Sequence, residues 1–309
     1  MNTNIENRDI VVAALKHAAP YIRMYKGKTF VIKVGGALFK NFTNSRKFLE
    51  QVAILHQVGI RIVLVHGAGP QSTKRATELG LDTRMIKGRR VTDHDMIKII
   101  NETSRKLNTQ IQEICLELGL SAVGMIGADE DLIIASRRPK VEVEGIGLVD
   151  YGFVGDIKDI NHQAIQKVLD EGSLSIVSAI SADAEGKTLN INADTVAAAL
   201  ASKLNVEKII LATGASGILE NVKDPSSLVS YLDISGLKKM ELDGSLADGM
   251  LPKAKSIEDA ILGGVPRVHV ISFSLPDSLL LEIFTNEGTG TLIVESIEAL
   301  TEAEQATGN

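Results

Sequence analysis

The sequence predicts an α/β protein built on a mostly parallel sheet with helices on both faces. Three observations predict it. Short aliphatic runs such as Thr29–Val34 (TFVIKV) and Arg61–Val65 (RIVLV) alternate with amphipathic stretches of helical period, the pattern of linked βαβ units. Aromatic residues are 4% of the 309, with no Trp, so the core must be aliphatic, as in strands buried on both sides. Hydrophobic residues at 44% and charged ones at 23% are ordinary globular usage, which excludes disorder, collagen and coiled coil.

Residues 9–25 carry apolar side chains at helical spacing, with Pro20 as a kink or break. Thr29–Val34 is a strand that stops at Gly35-Gly36, Ser45–Val58 a helix, Arg61–Val65 a second strand, and Gly67–Pro70 a glycine turn before a helix at Pro70–Leu79. Asp93–Leu118 is a long helix capped by Thr92 or Asp93 and ended by Gly119. Ala122–Met125, Leu132–Ala135 and Leu148–Ile157 read as strands, then Ala164–Glu171 as helix and Leu174–Val177 as strand. Ala193–Leu204, Lys253–Leu262 and Asp277–Phe284 read as helices, and Lys208–Leu211 and Val268–Ser272 as strands. At ~150 residues per domain the length suits two domains or one lobed domain. Ser181–Lys187 (SADAEGK) is the softest candidate linker between two lobes.

The net charge of −6 argues against a nucleic-acid-binding surface. The one cysteine, Cys115, forms no intrachain disulfide and reads as a small buried hydrophobe on a helix. No metal cluster is visible. The polar start MNTNIENRD lacks the apolar stretch of a signal peptide, and no apolar run approaches the ~20 residues of a membrane helix. The expectation is a soluble, cytoplasmic protein.

The glycine turns carry the chemistry. Lys33-Val34-Gly35-Gly36 ends the first strand and His66-Gly67-Ala68-Gly69-Pro70 the second. Ligands of open α/β sheets sit at the carboxyl ends of strands, where glycines let backbone N–H groups approach an anion at a helix mouth. Either turn alone could be a plain strand-to-helix connection. No G-x-x-x-x-G-K-[ST] loop is present, no G-x-G-x-x-G follows the first strand, and protein-kinase signatures are missing. Asn190-Ile191-Asn192-Ala193-Asp194 precedes an Ala-rich helix, where Asn and Asp also serve as ordinary caps. The run Asp248–Lys253 brings a lysine to a helix start, against the helix dipole, a placement that suits an anionic ligand.

In this order the motifs IKVGG, VHGAGP, GRRVTD, NINAD, ASGIL, GMLPK and FTNEGTGT resemble the amino acid kinase family, and within it the acetylglutamate kinases, from Tyr21 to Val294. The resemblance implies a three-layer αβα sandwich of the carbamate kinase-like type. It has an N-terminal helix (1–26), an N-terminal lobe (27–181) for N-acetyl-L-glutamate and dimerisation, and a C-terminal lobe (182–309) for ATP. It implies phosphorylation of a side-chain carboxylate in arginine biosynthesis. A carboxylate nucleophile is already ionised, so such a reaction needs positioning and charge neutralisation rather than a base. Lys33 and Lys253 would flank the moving phosphoryl group and Asp194 would orient them. Gly35, Gly36, Gly67 and Ala68 would donate backbone N–H groups, and Thr213, Gly214 and Gly217 would join Lys33, Gly35, Gly36 and Lys253 around ATP. Arg90 would grip the substrate α-carboxylate and Asn190 its acetamido end. Magnesium would arrive with ATP, with no metal site of the protein's own.

Departures from the family pattern are Ala68 for a glycine, Gly214 for an acidic residue, Asp248 for a glycine and Asn286 for an aspartate. Arginine-sensitive members resemble this chain in the helix of residues 9–25 and the loop Phe284–Gly290. This implies an L-arginine site of Tyr21, His269, Glu287, Gly288 and Gly290, and a homodimer or a ring-shaped homohexamer. The simpler alternative packs residues 9–25 on their own subunit. A second functional reading is a catalytically weak kinase-fold sensor of arginine or acetylglutamate, which would have no need of both Lys33 and Lys253.

Overall fold

The computed structural model describes residues 3–300 apart from Val222, Pro225, Ala247, Asp248 and Glu287, with the side chains of residues 3–8 and Ala299 left aside. Its first half runs α1 (Thr3–Tyr25), β1 (Thr29–Val34), α2 (Phe42–Gln57), β2 (Arg61–His66), α3 (Gly69–Glu78), β3 (Met85–Ile86), β4 (Arg89–Arg90) and α4 (His94–Glu117). Then come β5 (Ala122–Ile126), β6 (Ile133–Arg137), β7 (Val141–Val143), β8 (Gly147–Val149), β9 (Gly155–Ile160), α5 (His162–Asp170) and β10 (Leu174–Ser178). The second half holds β11 (Ile180–Ala182), β12 (Thr188–Asn190), α6 (Ala193–Leu204), β13 (Lys208–Thr213), β14 (Tyr231–Asp233) and α7 (Ile234–Leu242). It closes with α8 (Leu251–Leu262), β15 (Val268–Ser272), α9 (Ser278–Phe284) and β16 (Thr291–Val294).

Eight strands form one sheet in the order β14-β16-β15-β13-β1-β2-β10-β5. It is parallel except where β16 runs antiparallel to β15. Side chains alternate across it as the strand period requires. On one face Val31, Val63, Val177 and Leu211 pack with α5, α6 and α8. On the other, Phe30, Ile32, Leu64 and Ile210 pack with α2, α4 and α9. An aliphatic core on one face and a core that adds Phe30, Phe39 and Phe48 on the other make the expected three-layer sandwich. Cys115 is fully buried in the second core, and burial pushes its thiol up to about 11.

Three parts differ from the sequence reading. Leu148–Ile157 is not one strand: Gly152 takes φ +75° and lies so close to Thr92 that an added Cβ would sit 2.1 Å from its carbonyl oxygen, which parts β8 from β9. Ser181–Lys187 is the end of β11 and a turn into β12, with Asp183 Oδ1 accepting from the Glu185 and Lys187 amides at 3.1 and 2.8 Å. The N-terminal helix begins at Thr3 and continues through Pro20. Its Ile10, Val11, Val12 and Leu15 are exposed, while Tyr25 at its end is buried against Phe30. Among the described residues no helix is long and apolar enough to cross a membrane.

Candidate active site

The central strand β1 has β2 on one side and β13 on the other, with Val34 opposite both His66 and Ala212. The chain leaves this point in both directions, so the crevice beyond the carboxyl ends of β1, β2 and β13 is where an open α/β sheet places a ligand. Three helices, α3, α6 and α8, begin there, at Gly69, Ala193 and Leu251.

Lys33 reaches this edge from β1, Asp194 from the first turn of α6 and Lys253 from the first turn of α8. Lys33 Nζ lies 2.9 Å from Asp194 Oδ1. Lys253 Nζ donates to both carboxylate oxygens, at 3.0 and 3.1 Å. All three side chains are nearly buried, 9–12% exposed. Asn192 caps α6 and its Oδ1 accepts from the Asp194 amide at 2.7 Å, fixing the start of the helix that carries the carboxylate. Burial raises a carboxyl, but the two ammoniums outweigh it and hold Asp194 at about 2. Burial and the charge of Lys33 lower the Lys253 ammonium from its usual value, against the pull of Asp194. Two cations and one anion leave a surplus positive charge in a nearly dry site, which an anionic ligand satisfies.

The glycine turns supply N–H groups beside it. Among the described residues the amides of Gly36 and Ala68 have no acceptor, whereas Gly67 N donates to Val34 O at 3.2 Å. The N–H expected of Gly67 is therefore committed to the sheet. Ala68 has φ −114°, on the negative side where a Cβ meets no left-handed penalty, so its replacement of a glycine leaves the turn intact. Gly36 has no such freedom: an added Cβ would stand 2.3 Å from Gln71 Oε1 and 2.8 Å from Gly67 O. Gln71 Nε2 donates to Gly36 O at 2.7 Å, tying the two turns together. Nothing in the sequence pattern singles out Gln71.

A cavity of about 200 Å³ opens next to these turns and is lined by Gly67, Ala68, Arg90, Asn190 and Asn192 among others. The structure thus brings together all four residues expected around the substrate. Arg90 comes from the β3–β4 hairpin and donates to Gly69 O at 3.1 Å and Thr73 Oγ1 at 2.7 Å. Asn190 Nδ2 donates to Thr92 Oγ1 at 3.2 Å. Arg89 also lines the cavity, a residue the sequence reading passed over in favour of its neighbour.

On the nucleotide side, Thr213 ends β13 next to the end of β1, and its Oγ1 accepts from the Ala215 amide at 3.0 Å. Gly214 has room: a Cβ there would only touch the Phe273 ring at 3.7 Å. Gly217 is a glycine for packing, since a Cβ would come within 2.6 Å of Leu228 and Thr291. Asp248 lies outside the described residues.

A second cavity, about 70 Å³, lies between the end of α1 and the α9–β16 loop and is lined by Tyr21, His269, Gly288 and Gly290. Tyr21 Oη donates to Asn286 Oδ1. Glu287, the acid expected here, lies outside the described residues. The acid that lines the cavity is Glu282, whose Oε1 is 2.6 Å from His269 Nδ1 and whose Oε2 accepts from the Thr289 amide at 2.6 Å. Burial raises its carboxyl, but His269 and Thr289 bring it down to about 2. Its signal in the sequence is a lone charge inside the apolar run Leu279–Phe284.

A model of the amino acid kinase family matches residues 28–272. The acetylglutamate kinase of Myxococcus xanthus is 40% identical over 288 residues, 91% of this chain and 94% of that protein. The acetylglutamate kinase of Desulforamulus reducens is 36% identical over 294 residues, 95% and 99% of the two. Among solved structures, the N-acetylglutamate synthase of Neisseria gonorrhoeae, complexed with coenzyme A and N-acetyl-glutamate, matches 92% of this chain with a TM-score of 0.80 and 27% identity. This chain spans 63% of that longer one. Giardia lamblia carbamate kinase bound to AMP-PNP shares the fold at a TM-score of 0.60 and 18% identity. Matched over most of its length by the family model and by full-length relatives, the chain belongs to the amino acid kinase family.

Proposed function

We propose that this chain catalyses the acetylglutamate kinase reaction: ATP phosphorylates the side-chain carboxylate of N-acetyl-L-glutamate, giving N-acetyl-L-glutamyl 5-phosphate and ADP. The Lys33–Asp194–Lys253 triad is the observation that carries the reading at the level of the site. A substrate carboxylate oxygen attacks the γ-phosphorus while the bond to the β-phosphate oxygen breaks. Charge shifts toward the leaving ADP, and two ammoniums held in place by one carboxylate stabilise it without reorganising. Residues 27–181 form the lobe for acetylglutamate and residues 182–309 the lobe for ATP. Arg90 takes the α-carboxylate and Asn190 the acetamido group. Thr213 and Gly214 face the nucleotide. The donor set at the phosphate end is cationic and N–H-rich, and both Asp194 oxygens are taken by lysines. Mg²⁺ would therefore be carried in with ATP, where it would neutralise phosphate charge. Arginine biosynthesis is the setting such an activity fits.

The second cavity supports a regulatory role. A guanidinium or ammonium suits buried Glu282, and the exposed apolar side chains of α1 suit contact with a second copy of the chain. We read these as an L-arginine site of Tyr21, His269, Gly288, Gly290 and Glu282, coupled to a ring-shaped hexamer joined through α1. The synthase of Neisseria gonorrhoeae has been solved with L-arginine. The test of the main reading is ADP release measured with N-acetyl-L-glutamate, L-glutamate and L-aspartate as acceptors. Only the acetylated acceptor should support turnover. Equal rates with L-glutamate would overturn the reading.

A further inference from the structure

Arg90 and Asn190 line the same cavity but belong to different sheets, the β3–β4 hairpin and the β12-β11-β6-β9 sheet. One buried residue joins them. Thr92 is 0% exposed. Its amide donates to Tyr151 O at 2.9 Å and its carbonyl accepts from Phe153 N at 2.7 Å. Phe153 O in turn accepts from Asn190 N at 2.9 Å. Gly152 must be glycine for this crossing to close, given the 2.1 Å separation noted above.

The side chains repeat the link. Thr92 has a single hydroxyl proton, directed to Arg90 O at 3.4 Å. Its oxygen can then only accept from Asn190, at 3.2 Å. That assigns the amide: one N–H of Nδ2 goes to Thr92, and Oδ1, without a partner among the described residues, is left for a ligand.

We propose that Thr92 is a positioning residue for substrate selection. It holds Asn190 with its acceptor oxygen available, in fixed relation to Arg90, so that the cavity takes a carboxylate at one end and an amide N–H donor at the other. The inference rests on the acetylglutamate reading above and deepens it. It names what distinguishes the acceptor, a secondary amide on the α-nitrogen read by Asn190 Oδ1. Thr92 touches no substrate and acts through Asn190.

The experiment compares Thr92→Val, which keeps the shape and removes the hydroxyl, with Thr92→Ser, which keeps the hydroxyl. Thr92→Val should raise the KM for N-acetyl-L-glutamate about tenfold, the effect of one lost hydrogen bond, with kcat and the KM for ATP little changed. Thr92→Ser should restore it. In an Asn190→Ala background Thr92→Val should add nothing, because its route is gone. An unchanged KM in Thr92→Val, or full additivity with Asn190→Ala, overturns the inference. If Thr92→Val fails to fold, Asn190→Asp, which loses the N–H that Thr92 accepts, decides: a wild-type KM for N-acetyl-L-glutamate in it overturns the inference. A wild-type enzyme inactive on N-acetyl-L-glutamate would instead defeat the functional reading itself.

Discussion

Lys33 and Lys253, 220 residues apart in the chain, meet on the same oxygen of Asp194, at 2.9 and 3.0 Å. One arrives on the central strand and the other on a helix start, where its charge opposes the dipole. Asp194 at the neighbouring helix start compensates. The lysines are held apart from solvent and pointed at the sheet's carboxyl edge before any phosphate arrives.

Removing either ammonium should cost mainly the chemical step. Lys33→Ala and Lys253→Ala are each expected to lower kcat by a factor on the order of 10²–10³, with the KM for acetylglutamate moving far less. Steady-state kinetics of both variants check this. A near-wild-type kcat in both would remove the triad from the mechanism.

Arg90 acts at a distance from the bond being made. Arg90→Ala should therefore raise the KM for acetylglutamate more than it lowers kcat. Arg90→Lys keeps the charge but loses the planar guanidinium, whose Nη2 alone now donates to both Gly69 O and Thr73 Oγ1, so it should be impaired as well. A KM unmoved by Arg90→Ala would contradict the assignment.

Asp194→Asn leaves two nearly buried ammoniums without their anion and should destabilise the fold by ~3 kcal/mol or more, read from chemical denaturation. The acid limb should change too. Asp194 and Glu282 titrate at about 2 in the fold against ~3.9 and ~4.3 in an unfolded chain. The unfolded state takes up protons first, so stability present above ~pH 4 is lost as pH falls towards 2. Asp194→Asn should lose less over that window than wild type.

His66 predicts an earlier loss. It is fully buried, its Nε2 accepts from Asn108 Nδ2 at 3.1 Å, and burial lowers it to about 3. Unfolded histidine takes a proton near pH ~6.5, so stability should begin to fall below that value and continue towards pH 3. In His66→Gln the Tm between pH 6.5 and 4.5 should be flatter than in wild type. An identical slope would show that another group governs this range.

For the assembly, light scattering should give a hexamer for the full chain and a dimer once residues 1–25 are deleted, with inhibition by arginine lost alongside. A full-length dimer indifferent to saturating arginine would remove the regulatory reading and leave the catalytic one standing.

The parts most legible in the sequence were those with a local cause. Aliphatic strands stopped by glycine, the Asp93 and Asn192 caps and the long helix to Glu117 follow from residue types at short range. Gly152 misled because its reason is a neighbour 60 positions earlier: in sequence it sits inside a strand-like run, and only the approach to Thr92 shows it as a break. Short strands such as β3, β4, β7 and β12 have too few residues for a period to show. Within the site, Lys33, Asp194 and Lys253 could be singled out by motif order. Gln71, Thr92 and Glu282 could not, because their roles lie in hydrogen bonds to residues 7–98 positions away. Pro20 does not break α1, which runs on to Tyr25 across the one missing N–H.

The most direct test of the account traps the product. Hydroxylamine converts an acyl phosphate to a hydroxamate, so the protein is incubated with ATP, Mg²⁺ and N-acetyl-L-glutamate in its presence. The account predicts ATP-dependent hydroxamate from N-acetyl-L-glutamate, little from L-glutamate, and a yield that collapses in Lys33→Ala and Lys253→Ala. No hydroxamate above the level of these variants, or as much from L-glutamate as from its acetylated form, would contradict it.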